Sequence, residues 1–224
     1  VGKSVLILEL GRSVVKKGGY LINGKFEQFR QNTAYVALAH AFSDLIRQLL
    51  GEPKSSLDIW NEKIIKALGS NAQLIIDLIP ELELIIGRQP PVQELPPAEA
   101  QNRFLILFLN FVKIFASEKH PLVIFMDDLQ WSDVPTLNLI QRLVTTHELS
   151  YLLIIGAYRE NAVDTTHPLS LTLSEIQNKR YVENLTLLPL NLEAVNQITT
   201  DTLMCDDLRS QELSQILFEK TGLD

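Results

Sequence analysis

Cysteine is almost absent from this chain, because Cys205 is the only one among 224 residues. A single thiol excludes an intrachain disulfide, and no group of cysteine and histidine residues has the spacing of a zinc site. Long apolar runs are also missing, since none reaches the roughly 20 residues that span a bilayer. These absences favour a cytoplasmic protein without a membrane segment.

Dense positive charge is scarce as well. The formal net charge is −7, and the basic residues are scattered, clustering only in short pairs such as Lys16-Lys17 and Lys179-Arg180. This balance argues against a nucleic-acid-binding surface, so DNA is not an expected partner. Internal repeats and low-complexity segments are absent, whereas 46% of the residues are hydrophobic, enough for a large core.

The most informative stretch is LVIFMDDLQW, at 122–131. Its five leading apolar residues predict a strand buried on both faces of a parallel sheet. Asp127 and Asp128 follow at the carboxyl end of that strand, where open α/β sheets bind ligands. Two adjacent carboxylates need a cation, and a Walker B element supplies Mg²⁺ carried by a nucleotide. The alternative is a strand that ends in a solvated acidic turn.

The chain opens with Gly2, Lys3 and Ser4, which match the last three positions of the P-loop pattern G-x-x-x-x-G-K-[ST]. In such a loop Lys3 would reach the β- and γ-phosphates of ATP, and the Ser4 hydroxyl would ligate Mg²⁺. G-K-S alone is a weak motif. Paired with a strand that ends in two aspartates, it indicates a nucleotide site.

Hydrophobic periodicity predicts alternating helices and strands along the rest of the chain, and hence a parallel three-layer sheet. Gly18-Gly19 and Gly51-Glu52-Pro53 are expected to end helices. The predicted helices cover 5–17, 35–50, 56–68, 72–79, 97–117, 134–145, 169–179, 193–203 and 210–220, and 79–97 is expected to be an extended connection. The predicted strands cover 20–23, 122–126, 151–158 and, as a candidate, 182–188.

Arg159 follows the predicted buried strand at 151–158. The planar guanidinium group binds phosphate oxygens in a bidentate manner, so an arginine at this point could detect a γ-phosphate. The alternative is a surface salt bridge with an acid such as Glu160. Lys25 could likewise approach a phosphate, but a solvated side chain is the favoured interpretation there.

Taken together, these motifs resemble one family. The segments DDLQWSD, GAYRE and HPL, with GKFEQF, IPELELIIG and EAQNRF, are similar to the AAA-type ATPase module of the signal-transducing P-loop ATPases with numerous domains. The likeness extends over the whole chain. It is strongest to the module between serine/threonine kinase and histidine kinase domains in large, cyanobacterial-type bacterial regulators.

The resemblance implies a P-loop NTPase core over 1–190, with a helical insertion at about 35–118, followed by the start of a helical lid subdomain at 191–224. It implies a sheet of order 5-1-4-3-2. It also implies ATP and Mg²⁺ as cofactors, with Gly2, Lys3, Ser4 and Arg159 on the nucleotide, and Ser4 and Asp127 on the metal. Lys3, Asp128 and Arg159 would serve catalysis. All of these roles are expectations.

Two departures from the family pattern matter. Many AAA ATPases have glutamate where this chain has Asp128, and the shorter acid suits a slow switch better than a fast motor. The sequence also begins inside the P-loop and ends where the family usually continues. We therefore expect a fragment that lacks its central strand and binds ATP weakly by itself.

Three functions compete at this stage. The favoured hypothesis is a slowly hydrolysing, ATP-dependent signalling switch, whose partners would be ATP and the other domains of a longer polypeptide, with self-association left open. A second hypothesis is a scaffold that binds a nucleotide or a protein without turnover. A third is a DNA-linked ATPase of the replication-initiator type, which the acidic composition disfavours.

Overall fold

The computed structural model describes residues 2–28, 34–188 and 190–221, without the side chains of residues 2, 4, 207–209 and 221. The strands are Tyr20–Lys25 (β1), Leu122–Asp127 (β2) and Leu152–Gly156 (β3). The helices are Gly2–Lys16 (α1), Val36–Leu50 (α2), Lys54–Leu68 (α3), Ala72–Leu78 (α4), Glu83–Ile86 (α5), Pro97–Phe115 (α6), Val134–Thr145 (α7), Pro168–Gln177 (α8), Leu192–Leu203 (α9) and Asp207–Thr221 (α10).

The three strands form a parallel sheet in the order β1-β2-β3. The register places Ile22 opposite Ile124, and Ile124 opposite Ile154. This confirms the predicted α/β class with a parallel sheet. In the family numbering, where the strand before the P-loop is the first, β1, β2 and β3 are strands 2, 3 and 4. Their order therefore agrees with the 4-3-2 part of the implied order 5-1-4-3-2.

The central strand β2 is buried on both faces, as predicted from its apolar run. Ile124 and Met126 belong to the large core that also includes residues of α2, α6 and α7. Phe125 points to the opposite face, where it packs with Ile7 of α1 and Ala157. The sheet therefore lies between α1 and a thicker helical layer.

The strand β3 is shorter and more exposed than predicted. The sequence indicated a fully buried strand over 151–158, whereas β3 is at most half-buried and Leu153 is 51% exposed. Among the described residues β3 pairs only with β2. Its apolar side chains therefore have a neighbour on one edge only, which explains the error.

The strand candidate at 182–188 is wrong. The segment has no regular secondary structure, and Leu185, Leu187 and Leu188 are exposed. Alternating apolar residues favour a strand only where a neighbouring strand supplies hydrogen bonds and a packing surface. Within the described part of the chain this segment has no such neighbour.

The thick helical layer has an aromatic centre. Phe42 of α2 packs against Phe108, Phe111 and Phe115 of α6, with ring centroids 5.2 to 6.1 Å apart. The predicted helices that carry these rings are confirmed. The expected extended connection at 79–97 is partly wrong, because it contains a 3₁₀ turn at Pro80–Leu82 and the one-turn helix α5. No described helix is long and apolar enough to cross a membrane.

The start of α2 packs unusually close to the end of β1. A side chain at Gly24 would place its Cβ 2.7 Å from the carbonyl oxygen of Ala37 and 2.9 Å from the sulfur of Met126. Glycine therefore permits this backbone approach. The contact fixes the first turn of α2 beside the carboxyl ends of β1 and β2.

The chain divides into two compact units, Lys3–Val182 and Glu183–Asp224. The second unit contains α9 and α10, which pack together through polar side chains. Ser210 and Ser214 are fully buried and donate hydrogen bonds to Oδ1 of Asn196, at 2.7 and 3.0 Å. Thr200 Oγ1 lies 2.7 Å from Ser210 Oγ. The proposed boundary at residue 190 remains a prediction.

Candidate nucleotide site at the carboxyl edge of the sheet

The parallel register brings the ends of all three strands to one edge. Lys25 ends β1 opposite Asp127 of β2, and Met126 lies opposite Gly156 at the end of β3. Backbone hydrogen bonds extend this pairing, from Phe26 N–H to Asp127 O at 3.1 Å and from Ala157 N–H to Met126 O at 2.8 Å. Residues directly after the strands therefore meet in a small region.

Asp127 is the last residue of β2 and is half-buried. Its Oδ1 accepts a hydrogen bond from the backbone N–H of Asp128 at 3.0 Å. The sequence placed this carboxylate at the tip of the strand, and the structure has it there. Its role toward a metal remains a prediction.

Asp128 turns the chain sharply, with φ 56° and ψ 42° in the left-handed region. Aspartate is one of the few residue types that adopt this conformation readily. Its Oδ1 accepts a hydrogen bond from Nε2 of Gln130 at 3.0 Å, and its Oδ2 lies 3.7 Å from Nζ of Lys25. Both carboxylate oxygens therefore have protein partners.

Sequence reasoning missed Gln130 at this edge and the contact of Lys25 with Asp128, although it expected the solvated Lys25 side chain that is found. The prediction ended the first strand at residue 23, which left Lys25 in a loop; β1 in fact continues to Lys25. Gln130 lies in a 3₁₀ turn, Leu129–Trp131, and is 4% exposed. A polar residue two positions after Asp128, between Leu129 and Trp131, was the available signal for Gln130.

Lys3 lies in the first turn of α1 and is half-buried. Its Nζ is 3.5 Å from the carbonyl oxygen of Tyr158, the residue before Arg159. Among the described residues no ion pair joins Lys3 to Asp127 or Asp128. The structure thus brings Lys3 to the segment that follows β3.

Gly2 and Ser4 also belong to α1, so the G-K-S segment is helical. The first backbone N–H groups of a helix lack partners within the helix, and the helix dipole favours an anion there. Because the Ser4 hydroxyl is outside the described side chains, its predicted role as a Mg²⁺ ligand stays a prediction.

Arg159 is exposed, and its backbone N–H donates to Oε1 of Gln130 at 3.3 Å. No ion pair of its guanidinium group occurs in the described part of the chain, so the expected alternative, a salt bridge with Glu160, is not observed. An open cleft of about 400 Å³ lies beside Arg159. The residues that line it are Gln28, Asp128, Gln130, Trp131, Arg159, Asn161 and Ala162.

Asp133 connects this edge to the helical layer. Its carboxylate caps α7 by accepting from the Thr136 N–H at 2.7 Å, and it also accepts from the Thr136 hydroxyl at 2.6 Å. The Thr136 oxygen in turn accepts from the Tyr35 N–H at 2.9 Å. Burial, and to a lesser degree the charge of Asp133, raises the pKa of the Tyr35 hydroxyl. Hydrogen bonds through Thr136 therefore connect Tyr35, the residue before α2, to Asp133, the residue before α7.

The Asp127 carboxylate fits a magnesium ion that arrives with its ligand. No cluster of three His, Cys, Asp or Glu side chains occurs within residues 2–28, 34–188 and 190–221. Mg²⁺ is usually held by one or two carboxylates, waters and substrate phosphates rather than by an all-protein cage. Asp127 therefore suits Mg²⁺ that arrives bound to a polyphosphate.

Comparison with known proteins relates the chain to a protein family and to a signalling protein. A family model described as AAA ATPase domain matches residues 1–155. The hybrid signal transduction histidine kinase G of Dictyostelium discoideum is 27% identical to the chain over an alignment 284 residues long. The alignment covers 99% of the chain and 8% of that protein. The chain thus spans less than a tenth of the length of this relative. No solved structure matches the chain.

Proposed function

The chain belongs to the AAA ATPase domain family, and from this membership we propose that it binds ATP with Mg²⁺ and hydrolyses ATP slowly as a regulatory switch. One observation carries the proposal. The parallel register and the start of α1 bring Lys3, Asp127, Asp128 and Arg159 to the same edge of the sheet. That edge is where open α/β sheets bind nucleotides.

Each residue has a role that suits its chemistry and position. Lys3 would neutralise phosphate oxygens, and Asp127 and Ser4 would hold Mg²⁺. When bound, Mg²⁺ neutralises charge on the β- and γ-phosphates. Asp128 orients the attacking water and accepts its proton, while Arg159 contacts the γ-phosphate, which only ATP carries.

The partners of Asp128 support slow turnover. Its carboxylate faces Nζ of Lys25 on one oxygen and Nε2 of Gln130 on the other. These two contacts restrict how the carboxylate can turn toward an attacking water. Aspartate is also one methylene shorter than glutamate, which lengthens its distance to a water on the γ-phosphate.

A signalling role is supported by the similarity to a hybrid signal transduction histidine kinase. We propose that nucleotide state changes how this module contacts other domains of the polypeptide that contains it. Self-association on ATP binding is an additional route for such a switch, and a cytoplasmic location belongs to the same proposal. The net charge of −7 supports no DNA partner.

A second candidate is a module that binds nucleotide without turnover. The occupied carboxylate of Asp128 favours it, because that group is the proposed base. Under this alternative, ATP would bind and alter the assembly, but single-turnover hydrolysis would be no faster than in the absence of protein.

The test uses the native polypeptide that contains this chain, together with its Asp127→Ala variant. We expect saturable ATP binding and Mg²⁺-dependent release of phosphate by the parent. The variant should lose phosphate release and keep nucleotide binding in EDTA. Glu160→Ala, which removes an exposed acid nearby, is the control and should behave as the parent. Mg²⁺-dependent turnover that survives in Asp127→Ala would contradict the metal assignment, and absent ATP binding by the parent would contradict the proposal itself.

A further inference from the structure

Gln130 uses both ends of its side-chain amide at the edge of the sheet. Its Nε2 donates to Asp128 Oδ1 at 3.0 Å, and its Oε1 accepts from the backbone N–H of Arg159 at 3.3 Å. The side chain is 4% exposed, so water does not compete freely for these bonds. The orientation of the amide is chemically determined, because a carboxylate only accepts and a backbone N–H only donates. Rotating the amide by half a turn would lose both bonds.

These bonds are not needed to join the two strands. The backbone already pairs their ends, through Ala157 N–H to Met126 O at 2.8 Å and Leu129 N–H to Ala157 O at 2.9 Å. Gln130 adds a connection of another kind, between the carboxylate of Asp128 and the backbone of Arg159. It spans the point at which the strand pairing stops.

Within the proposed ATP site, we propose that Gln130 is a positioning residue that couples the Asp128 carboxylate to the Arg159 segment. This inference rests on the proposed function. When the Arg159 side chain engages a γ-phosphate, its backbone N–H moves with it, and the amide of Gln130 transmits that displacement to Oδ1 of Asp128. Oδ2 of Asp128, the oxygen beside Lys25, then contacts the attacking water instead of Lys25.

The coupling explains how a base with two partners could respond to ATP and not to ADP. ADP lacks the group that Arg159 would contact, so the Arg159 N–H and the Gln130 amide keep their positions. The orientation of Asp128 therefore depends on the γ-phosphate through Gln130. Without Gln130 the two residues would act independently.

Two substitutions separate the two bonds. Gln130→Met keeps the length and approximate volume of the side chain but removes both the donor and the acceptor. Gln130→Glu keeps an acceptor for the Arg159 N–H and places a negative charge against Asp128. Gln141→Met is the matched control, because Gln141 also donates to a carboxylate, that of Glu175, but lies on α7 away from the strand ends.

The first measurement is made on the native polypeptide that contains this chain, with ATP, ADP and Mg²⁺. For Gln130→Met we expect single-turnover hydrolysis to fall at least about tenfold, while the ATP dissociation constant changes less than about threefold. Gln141→Met should match the parent in both quantities. Turnover equal to the parent in Gln130→Met would overturn the role of Gln130.

The second measurement needs no nucleotide. Amide hydrogen exchange at Arg159 should be faster in Gln130→Met than in the parent and close to the parent in Gln130→Glu, which retains the acceptor. Equal exchange in the parent and Gln130→Met would overturn the coupling. Failure of the parent to bind ATP would instead overturn the proposed function and, with it, the catalytic meaning of the coupling. The exchange result then shows whether the connection itself exists.

Discussion

The ammonium group of Lys25 lies 3.7 Å from Oδ2 of Asp128, so the last residue of β1 faces the residue that follows β2. The Lys25 side chain is 68% exposed and that of Asp128 is 23% exposed. An ion pair so open to water contributes at most about 1 kcal/mol to folding. Its main effect is therefore on the orientation and availability of the Asp128 carboxylate.

Replacing Lys25 with methionine removes the charge and keeps most of the side-chain length. We expect ATP turnover to rise by up to about fivefold, the rate equivalent of about 1 kcal/mol, because Asp128 loses a competing partner. The difference from the parent should shrink at high salt, which screens the pair. Single-turnover rates at two ionic strengths check this, with Lys16→Met as the exposed-lysine control. Slower turnover with weaker ATP binding would mean that Lys25 contacts the phosphates instead.

Replacing Asp128 with asparagine tests the proposed base without disturbing the turn. Asparagine also tolerates the left-handed conformation found here, φ 56°, and its Oδ1 can still accept from Gln130. We expect turnover to fall about 100-fold, the usual contribution of a general base, while ATP affinity stays within about threefold. Rapid-quench hydrolysis and equilibrium titration provide the two numbers. Turnover within a factor of two of the parent would remove Asp128 from the mechanism.

Replacing Arg159 with alanine should reduce the preference for ATP over ADP. The exposed guanidinium has no ion pair among the described residues, and the backbone N–H that bonds to Gln130 is retained in the variant. We therefore expect an unchanged unfolding midpoint and weaker ATP binding, with ADP binding little affected. Parallel titrations with both nucleotides measure the ratio, and Arg142→Ala on α7 is the control. Identical ratios in parent and variant would make Arg159 a surface residue.

A pH-dependent prediction concerns Glu81, in the helical layer. A hydrogen bond from the Ser43 hydroxyl, at 2.8 Å, and the charge and hydrogen bond of Arg47 lower the pKa of the Glu81 carboxyl. Because the folded value is lower than the unfolded one, the stabilisation is present above the usual glutamate pKa of about 4.3 and is lost as the pH falls through the folded value. Acid should therefore destabilise the parent more than Glu81→Gln. Urea unfolding at pH 7 and pH 3 measures this difference, with exposed Glu94→Gln as control. An equal loss of stability in parent and Glu81→Gln would contradict the prediction.

Local patterns predicted the elements whose environment is local. The unbroken apolar run before Asp127 predicted a strand at 122–126, and β2 differs from it by one residue. The stretch at 134–145 predicted the bounds of α7, which the Asp133 side chain caps. A buried strand and an amphipathic helix can each be predicted from their own residues, because the order of apolar and polar residues within the segment indicates the structure.

Features that depend on pairing between distant segments were not predictable in this way. Whether 182–188 forms a strand depends on a neighbour, and none is present among the described residues. The contact of Lys25 with Asp128 depends on the register between β1 and β2, which a single sequence does not specify. The two bonds of Gln130 depend on the left-handed turn at Asp128, which directs the next residues back over β3.

The polar interface between α9 and α10 has a thermodynamic consequence. Exposure of apolar groups raises the heat capacity, whereas exposure of polar groups lowers it. Separating α9 from α10 would expose the polar groups of Ser210, Ser214 and Asn196 to water. Unfolding the first unit would instead expose phenylalanine rings. The C-terminal unit should therefore unfold with an unusually small heat-capacity change per residue. Its stability should vary less steeply on cooling than that of the aromatic layer around Phe42, which loses hydrophobic driving force in the cold.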